Sequence, residues 1–289
     1  MFMKNKNESL HQADFLDNNQ QFSVLLSVYK KENPTYLKEA LESIFNQTIM
    51  PNEVILVEDG PLTKELDDVI IDFKNKYKTI FKNIKFKENR GLGMALHDGI
   101  KLCSNEIIFR MDTDDICMPE RFEKQLMVFK TLNVDIVGSN IAEYDKNMEN
   151  CISTRIVPEN DIEIKKIIKK RNPMNHVTIA FKKNKVLEAG NYLDMPYFED
   201  YYLWARMAKN NSKFYNIQES LVKVRGGNDM IKRRGGKTYI KPIINFEKSL
   251  YKLGLINRLE FFINVVERVL ISLIPNNIRF LIYKKVLRK

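Results

Sequence analysis

The stretch "FSVLLSVYKKENPTYLKEALESIFNQT", residues 22–48, sets the pattern of the fold. Residues 22–29 are mostly apolar, which is typical of a strand buried on both faces. Asn33 and Pro34 follow, and asparagine at an N-cap with proline at the first helical position predicts a helix through about Gln47. A buried strand that leads directly into a helix is the repeating unit of a parallel α/β sheet.

The same alternation of short apolar runs and helical patterns continues along the chain. It predicts strands at residues 53–59, 83–88, 106–112, 134–139 and 176–181, and helices at residues 63–78, 91–103, 119–132, 161–170 and 197–210. We therefore predict an α/β fold with a mostly parallel central sheet flanked by helices.

A second stretch, "RMDTDDICMPER" at residues 110–121, places Asp112, Asp114 and Asp115 directly after a buried strand. Neighbouring carboxylates repel each other, and burial raises their pKa values. Capping of a turn before Pro119 would explain one aspartate but not three. A D-x-D pattern suits a hard divalent cation such as Mg²⁺ or Mn²⁺, whose remaining ligands are phosphate oxygens and water. The pattern therefore favours a metal site.

Other polar residues follow the predicted strands, at the sheet edge where ligands of parallel sheets bind. Glu58 and Asp59 end the second strand, and Arg90 follows the third at a helix start. Arg90 is either an anion ligand or a solvated side chain. The motif "NRGLGMAL" at residues 89–96 lacks the third small residue of a dinucleotide fingerprint and follows the wrong strand, so we reject that interpretation.

Glu199 and Asp200 fall in the first turn of the helix predicted at residues 197–210. They either complement the helix dipole or carry chemistry. His176 and Trp204 are most simply core residues. The family resemblance described below makes both of them candidates for an acceptor region.

The net charge of +10 is unevenly distributed. Residues 221–289 contain 16 lysines and arginines against 4 aspartates and glutamates, a net charge of +12, so the first 220 residues carry −2. Apolar residues mix with these charges after about residue 235, which predicts a basic amphipathic helical extension. Such an extension suits an anionic partner: a membrane surface, nucleic acid or an acidic substrate. The family resemblance described below favours the membrane surface over nucleic acid.

The predicted organisation has three parts. Residues 1–20 form a flexible lead-in, residues 21–230 the α/β domain, and residues 231–289 the basic helical extension. The family resemblance described below implies that residues 21–230 are a catalytic domain, with a nucleotide-sugar-binding half at residues 21–140 and an acceptor half at residues 141–230.

Targeting and redox features of the sequence are few. The lead-in lacks the apolar segment of a signal peptide, and no apolar run is long enough to predict a transmembrane helix. The three cysteines have no paired spacing, which argues against a zinc site or a disulfide framework and favours a reducing cytoplasm.

Six segments together resemble family 2 glycosyltransferases of the GT-A fold, and they occur in the order of that family. They are FSVLLSVYKKENPTYLKEALESIFNQT, EVILVEDGP, NRGLGMALHDGI, IIFRMDTDDICMPERFEKQ, NPMNHVTIAF and YFEDYYLWARM. The nearest type is the bacterial transferases that build capsule, exopolysaccharide or lipopolysaccharide repeats. The chain lacks the QxxRW motif of processive members.

The resemblance implies a role for each matching residue. Ser27 and Tyr29 border the nucleotide base, Asp59 reads the uracil, and Glu58 stands beside it. Arg90 lies near the base and the phosphates. Asp114 or Asp115 contacts the metal, while Asp112 and Thr113 complete the D-x-D that faces ribose and metal. Asp200 is the catalytic base, with Glu199 beside it.

The resemblance also implies an activity. It is the inverting transfer of a hexose or N-acetylhexosamine from a nucleotide sugar, with UDP expected, to a saccharide acceptor on a lipid carrier or surface glycan, assisted by Mn²⁺ or Mg²⁺. The implied location is the cytoplasm, at the inner face of the membrane. Two alternatives remain: a nucleotidyltransferase acting on sugar phosphates, and an inactive nucleotide-sugar-binding paralogue.

Overall fold

The fold was obtained as a computed structural model, which describes residues 20–226, 235–275 and 278–279. Nearly all of the lead-in predicted at residues 1–20 and the last ten residues of the predicted extension lie outside the described residues.

The first half of the molecule is a parallel sheet with the strand order β3-β2-β1-β4. Every strand and helix predicted here is present. They are β1 (Phe22–Val28), α1 (Pro34–Phe45), β2 (Glu53–Glu58), α2 (Lys64–Lys76), β3 (Phe81–Lys85), α3 (Leu92–Leu102) and β4 (Ile107–Arg110). The carboxyl ends of these four strands share one edge, so the residues that follow them are brought together.

The helix α1 shows why this half was predictable from local sequence. The Asn33 side chain accepts a hydrogen bond of 2.8 Å from the backbone N–H of Thr35, as expected for an N-cap. Leu37, Leu41 and Ile44 recur at helical spacing and are fully buried against the sheet.

The second half extends the sheet with antiparallel as well as parallel pairings. Its elements are β5 (Ile116–Cys117), α4 (Arg121–Thr131), β6 (Ile136–Tyr144), β7 (Cys151–Arg155), α5 (Asp161–Ile167), β8 (Ala180–Lys182), α6 (Lys183–Glu188), α7 (Glu199–Lys209) and β9 (Phe214–Arg225). The short strand β8 runs antiparallel to both β4 and β6, and so joins the two halves of the sheet. β9 runs parallel to β6 and antiparallel to β5.

One predicted strand is shorter than expected. Residues His176–Thr178 form a 3₁₀ turn, and the strand predicted at 176–181 begins only at Ala180. The hydroxyl of Thr178 accepts a hydrogen bond of 2.9 Å from the backbone N–H of Ser139 and donates to the carbonyl of Asn175, which fixes the turn.

Two long helices follow β9, α8 (Ile240–Lys252) and α9 (Arg258–Leu273), which confirms that the described part of the extension is helical. They pack against α7, where the rings of Phe198 and Phe246 stack with centroids 4.4 Å apart. Among the described residues, none of the helices has the length and apolar character needed to cross a bilayer.

One arginine of the basic extension does not lie on the surface. The guanidinium of Arg268 packs inward and pairs with the buried carboxylate of Glu247 at 2.7 Å. The position of Arg268 on the helix places it on the side that faces α7, so its charge is compensated internally.

Candidate active site

The three aspartates of the D-x-D segment form one acidic cluster. Asp112, Asp114 and Asp115 follow β4 at the carboxyl edge of the sheet, and one carboxylate oxygen of each lies within 4.8 Å of the others. Burial and the neighbouring charge of Asp112 raise the pKa of Asp114 to about 6. Burial, together with the charges of Asp114 and Asp112, raises the pKa of Asp115 well above its usual range. The cluster therefore holds carboxylates that the protein alone leaves poorly compensated.

Arg110 supplies part of the positive charge that this cluster needs. It is the last residue of β4, its guanidinium is buried, and it binds both carboxylate oxygens of Asp112, with Nη1 at 2.6 Å from Oδ2. This bidentate pair fixes Asp112 at the side of the cluster. The charges of Asp114 and Asp115 are therefore compensated less well than the charge of Asp112.

Arg225, at the end of β9, holds the other side of the cluster. Its backbone N–H donates to Oδ1 of Asp115 at 2.8 Å, and its Nε donates to the carbonyl of Asp114 at 3.0 Å. The guanidinium also pairs with Glu39 and stacks on Tyr36, 3.8 Å from the ring centroid. Arg225 thus ties the aspartate loop to α1.

The donor set fits a hard divalent cation. Carboxylate oxygens are the ligands that Mg²⁺ and Mn²⁺ prefer, and partial protein shells are common where phosphates complete them. The raised pKa values of Asp114 and Asp115 are a second indication, because a cation at this point would offset the repulsion that raises them. Asp112, Asp114 and Asp115 are therefore the residues that would hold the metal.

Asp59 organises a loop next to this cluster. Its buried carboxylate accepts hydrogen bonds from the backbone N–H groups of Arg90 and Gly91, at 2.8 and 2.9 Å, and from the side chain of Asn89. Gly60 follows with φ of +89°, and a Cβ there would lie 2.7 Å from the backbone nitrogen of Asn89. The two chain segments therefore approach so closely that residue 60 has to be glycine.

The other residues expected at the nucleotide lie around this loop. Ser27 is half-buried in β1 beside β2, and Tyr29 lies one residue beyond the end of β1. Glu58 faces β3, where it accepts a 2.6 Å hydrogen bond from Asn83 and pairs with Lys85. Thr113 is buried between the aspartates. The roles predicted for these residues in nucleotide binding stay predictions.

Arg90 has a defined position in this structure. Its guanidinium pairs with Asp98 of α3 and lies over the ring of Phe86, 4.6 Å from the centroid. It is partly exposed, so the side chain is held at the rim of the loop.

Glu199 and Asp200 open α7, where Asp200 accepts a 2.7 Å hydrogen bond from the side chain of Asn172. A Cβ built on Gly93 would lie 3.2 Å from Cβ of Glu199, so the starts of α3 and α7 are in close contact. The loop held by Asp59 and the acidic turn of α7 are therefore neighbours in space.

Tyr192 was not predicted, and it is a buried residue close to the charges of both the acidic cluster and the start of α7. Burial raises the pKa of its phenol, and the charges of Asp200, Glu199 and Asp112 raise that pKa further. The Nε2 atom of His176 forms a 2.7 Å hydrogen bond with the hydroxyl of Tyr192. Burial, with the charge of Arg110, lowers the pKa of His176 well below its usual range, so the imidazole is neutral.

Trp204 is fully buried and packs edge-on against His176, with ring centroids 6.0 Å apart. The structure therefore confirms the core interpretation of this tryptophan. The acceptor role predicted for His176 and Trp204 stays a prediction.

The residues that sequence reasoning missed differ in the signal that they left. Arg110 stood in the quoted motif, two positions before Asp112, where side chains in a strand share a face. A charged residue ending a buried apolar run was thus a usable signal. Arg225 and Tyr192 are distant in the chain, and no local pattern connects them with the aspartates.

A family model described as Glycosyl transferase family 2 matches residues 23–189. The matched segment contains the acidic cluster and the Asp59 loop, and it ends before Glu199 and Asp200. This chain belongs to glycosyltransferase family 2.

Two relatives match over nearly their whole length. An uncharacterized glycosyltransferase of Haemophilus influenzae is 39% identical over 270 residues, which cover 93% of this chain and 100% of the relative. The UDP-Gal:alpha-D-GlcNAc-diphosphoundecaprenol beta-1,3-galactosyltransferase of Escherichia coli is 38% identical over 275 residues, covering 94% of this chain and 98% of the relative.

A solved structure shares the fold at low sequence identity. The crystal structure of S. aureus TarS 1-349 in complex with UDP-GlcNAc superposes with a TM-score of 0.66 and 16% identity, covering 92% of this chain and 76% of that one. Together with the family match, this confirms the predicted GT-A fold.

Proposed function

We propose that this chain is an inverting, metal-dependent glycosyltransferase that moves one hexose or N-acetylhexosamine from a UDP-sugar to a hydroxyl of a lipid-linked saccharide. The observation that carries the proposal is the pairing of two acidic sites across Tyr192: the Asp112, Asp114 and Asp115 cluster, and the turn of α7 that bears Asp200. One site suits a diphosphate with its cation, and the other suits a hydroxyl proton.

The reaction is a single displacement in which the acceptor oxygen attacks the anomeric carbon. The bond from that carbon to the diphosphate oxygen breaks on the opposite face, and the electron pair leaves with the nucleoside diphosphate. Asp200 accepts the acceptor proton, and Asn172 holds its carboxylate in place with the 2.7 Å hydrogen bond. A bound Mg²⁺ or Mn²⁺ supplies charge neutralisation of the leaving diphosphate.

Inversion predicts a β-linked product from an α-linked donor. The name of the E. coli relative specifies a β-1,3 linkage, UDP-Gal as donor and a diphosphoundecaprenol-linked acceptor. These features support UDP-Gal as the first donor to test here and GlcNAc on a lipid diphosphate as the first acceptor. A lipid-linked acceptor also supports a location at the cytoplasmic face of a membrane.

The decisive experiment is a donor panel with the full-length protein. UDP-Gal, UDP-Glc, UDP-GlcNAc and UDP-GalNAc are each supplied with a short-chain GlcNAc-diphospholipid and with Mn²⁺, Mg²⁺ or EDTA, and UDP release is measured. We expect turnover with one donor, loss of turnover in EDTA, and a β-linked product by NMR. An α-linked product, or full activity in EDTA, contradicts the mechanism.

The base assignment is tested with Asp200→Asn. We expect donor binding by calorimetry to be retained and kcat to fall about 10³-fold, the scale of losing a general base. Asp68→Asn, an exposed aspartate of α2, is the matched control and keeps full activity. An Asp200→Asn variant that keeps its activity excludes Asp200 as the base.

A further inference from the structure

The helix α9 exposes more apolar surface than an ordinary surface helix. Its inner side mixes the polar residues Asn264, Arg268 and Ser272, which recur every four positions, with the partly buried Phe261 and Val269. The apolar residues of the opposite side point outward: Leu259, Phe262, Ile263, Val266, Leu270 and Leu273, which are between 41% and 68% exposed. We call these six residues the outer face of α9. A soluble surface helix normally buries such a stripe.

Specific polar contacts fix this orientation. Asn264 donates to the carbonyl of Lys169 at 2.8 Å and to the carboxylate of Glu247 at 3.1 Å. Arg268 pairs with Glu247 and donates to the carbonyl of Lys170 at 2.9 Å. If α9 rotated to bury its apolar face, the buried ion pair between Arg268 and Glu247 would break, which is strongly unfavourable. The outer face is therefore held outward by the fold.

Most of the charged side chains near α9 are positive. Lys169, Lys170 and Arg171 form an exposed basic loop whose carbonyls are bound by the inner side of α9, and Lys252 and Arg258 are exposed at its N-terminal end. Glu260 and Glu267 are the acidic residues of the same helix. Tyr251 is also exposed there and contacts Phe261, with ring centroids 6.1 Å apart. Apolar residues in the centre, cations at the rim and an aromatic residue at the boundary are the pattern of helices that lie in a membrane interface.

We propose that the outer face of α9 lies in the interfacial layer of an anionic phospholipid bilayer, with the basic loop and Arg258 on the headgroups. The charges near α9 are five cations against Glu260 and Glu267, and this net positive charge favours a bilayer over a second copy of the chain. An isologous contact through the same face would bring two net positive surfaces together, whereas anionic headgroups attract them. At 16 residues the helix is about 24 Å long, which suits a helix lying in the interface plane.

The docking face is connected to the proposed catalytic base. The basic loop ends at Arg171, and the next residue, Asn172, donates the hydrogen bond to Asp200. Residues 169–172 therefore connect α9 to the proposed base, and a lipid-anchored acceptor would reach the base from a membrane bound at this helix. This part of the inference rests on the proposed function, because it assumes an acceptor that is anchored in the lipid.

The test is co-sedimentation of the full-length protein with vesicles of phosphatidylcholine containing 30% phosphatidylglycerol, against vesicles of phosphatidylcholine alone. We expect binding to the anionic vesicles and a loss of at least about tenfold in affinity for the double variant Phe262→Ser/Leu270→Ser. Ile71→Ser, which removes an exposed isoleucine of α2, is the matched control and binds like the wild type. Circular dichroism checks that all variants are folded.

A second variant tests the basic rim. Lys169→Gln/Lys170→Gln/Arg171→Gln retains the outer face, so we expect weaker binding to anionic vesicles and a smaller dependence on salt. Undiminished binding by the Phe262→Ser/Leu270→Ser variant overturns the proposal. A second result would also overturn it: a wild-type dimer in light scattering that is monomeric in this variant, with no vesicle binding by either protein. That result would assign the outer face to a second copy of the chain.

Activity assays separate this inference from the proposed function. The Phe262→Ser/Leu270→Ser variant is expected to match the wild type on a short-chain acceptor in solution and to lose at least about tenfold in rate on a long-chain acceptor in vesicles. Vesicle binding without transfer to any acceptor retains the docking surface and refutes the proposed function. Transfer without vesicle binding retains the proposed function and refutes the docking surface.

Discussion

Two buried carboxylates at opposite ends of the same parallel sheet have opposite electrostatic environments. Glu53 begins β2, and although burial alone would raise its pKa, hydrogen bonds from Ser104, Ser23 and Lys82 lower it to about 2. Asp115 follows β4 and is equally buried, but burial and its acidic neighbours raise its pKa well above the usual range. The amino end of the sheet therefore satisfies its charge internally, and the carboxyl end leaves charge for a ligand to complete.

Asp115→Asn should give the largest effect in this comparison. We expect turnover to fall by about 10²-fold or more, because the substitution removes one anionic ligand from the cation site. The melting temperature should stay equal or rise, since the substitution removes a carboxyl whose ionisation the fold disfavours. UDP release and thermal unfolding measure the two effects. A variant that is both inactive and markedly destabilised would mean that Asp115 is structural, like Glu53.

Glu53→Gln should show the reverse behaviour. We expect the free energy of unfolding at pH 7 to fall by about 2 kcal/mol, because a carboxylate with a pKa near 2 loses its charge-assisted hydrogen bonds. The turnover of the folded fraction should stay within about twofold of the wild type, since Glu53 lies far from the carboxyl edge. Urea unfolding gives the stability, and Asp68→Asn again serves as the control. Loss of turnover in a fully folded Glu53→Gln variant would contradict the purely structural role of Glu53.

The stabilisation by Glu53 should depend on pH with a defined sign. Its pKa is lower in the folded protein than its ordinary value of 4.5, so the stabilisation is fully present above pH 4.5 and is lost as the pH falls toward 2. The difference in unfolding free energy between the wild type and Glu53→Gln should therefore shrink between pH 5 and pH 3. Urea titrations at pH 6, 4 and 3 check this, and a constant difference would disprove the assigned cause.

Mn²⁺ should have the smallest effect, and it should act at only one end of the sheet. At about ten times its dissociation constant, a cation that binds only the folded state adds about 1.4 kcal/mol to stability. We expect the resulting rise in melting temperature in the wild type and in Glu53→Gln, and a much smaller rise in Asp115→Asn. Equal rises in all three proteins would place the bound cation elsewhere.

Local sequence was sufficient for the first half of the fold and insufficient for much of the second. The strands from β1 to β4 are short apolar runs, and caps such as Asn33 mark the helices between them, so neighbouring residues contain the information. β9 does not alternate in a regular way, and it is stabilised by pairing with β6 and β5, which are remote in the chain. Pairing at long range overrides local propensity, and residue spacing does not report it.

The candidate site shows the same division. The acidic cluster was predictable because its three carboxylates are adjacent in the sequence and follow a strand. Its counter-charges were not recognised, because Arg225 meets Asp115 only after β9 has joined the sheet. The extension was predicted as helical and basic, but the inward direction of Arg268 depends on Glu247 and on the loop after α5. Helical periodicity gives the faces of a helix, and only packing decides which face is inside.

The three-residue strand β8 has a mechanical consequence for the whole molecule. It is registered with β4 through Ile107, Ile108 and Phe109, and with β6 through only Ile136 and Val137. A pulling force applied across the sheet would load this narrow ladder before the longer ladders on either side of it. In a single-molecule stretching experiment the pairing of β8 with β6 should therefore be the first part of this sheet to separate.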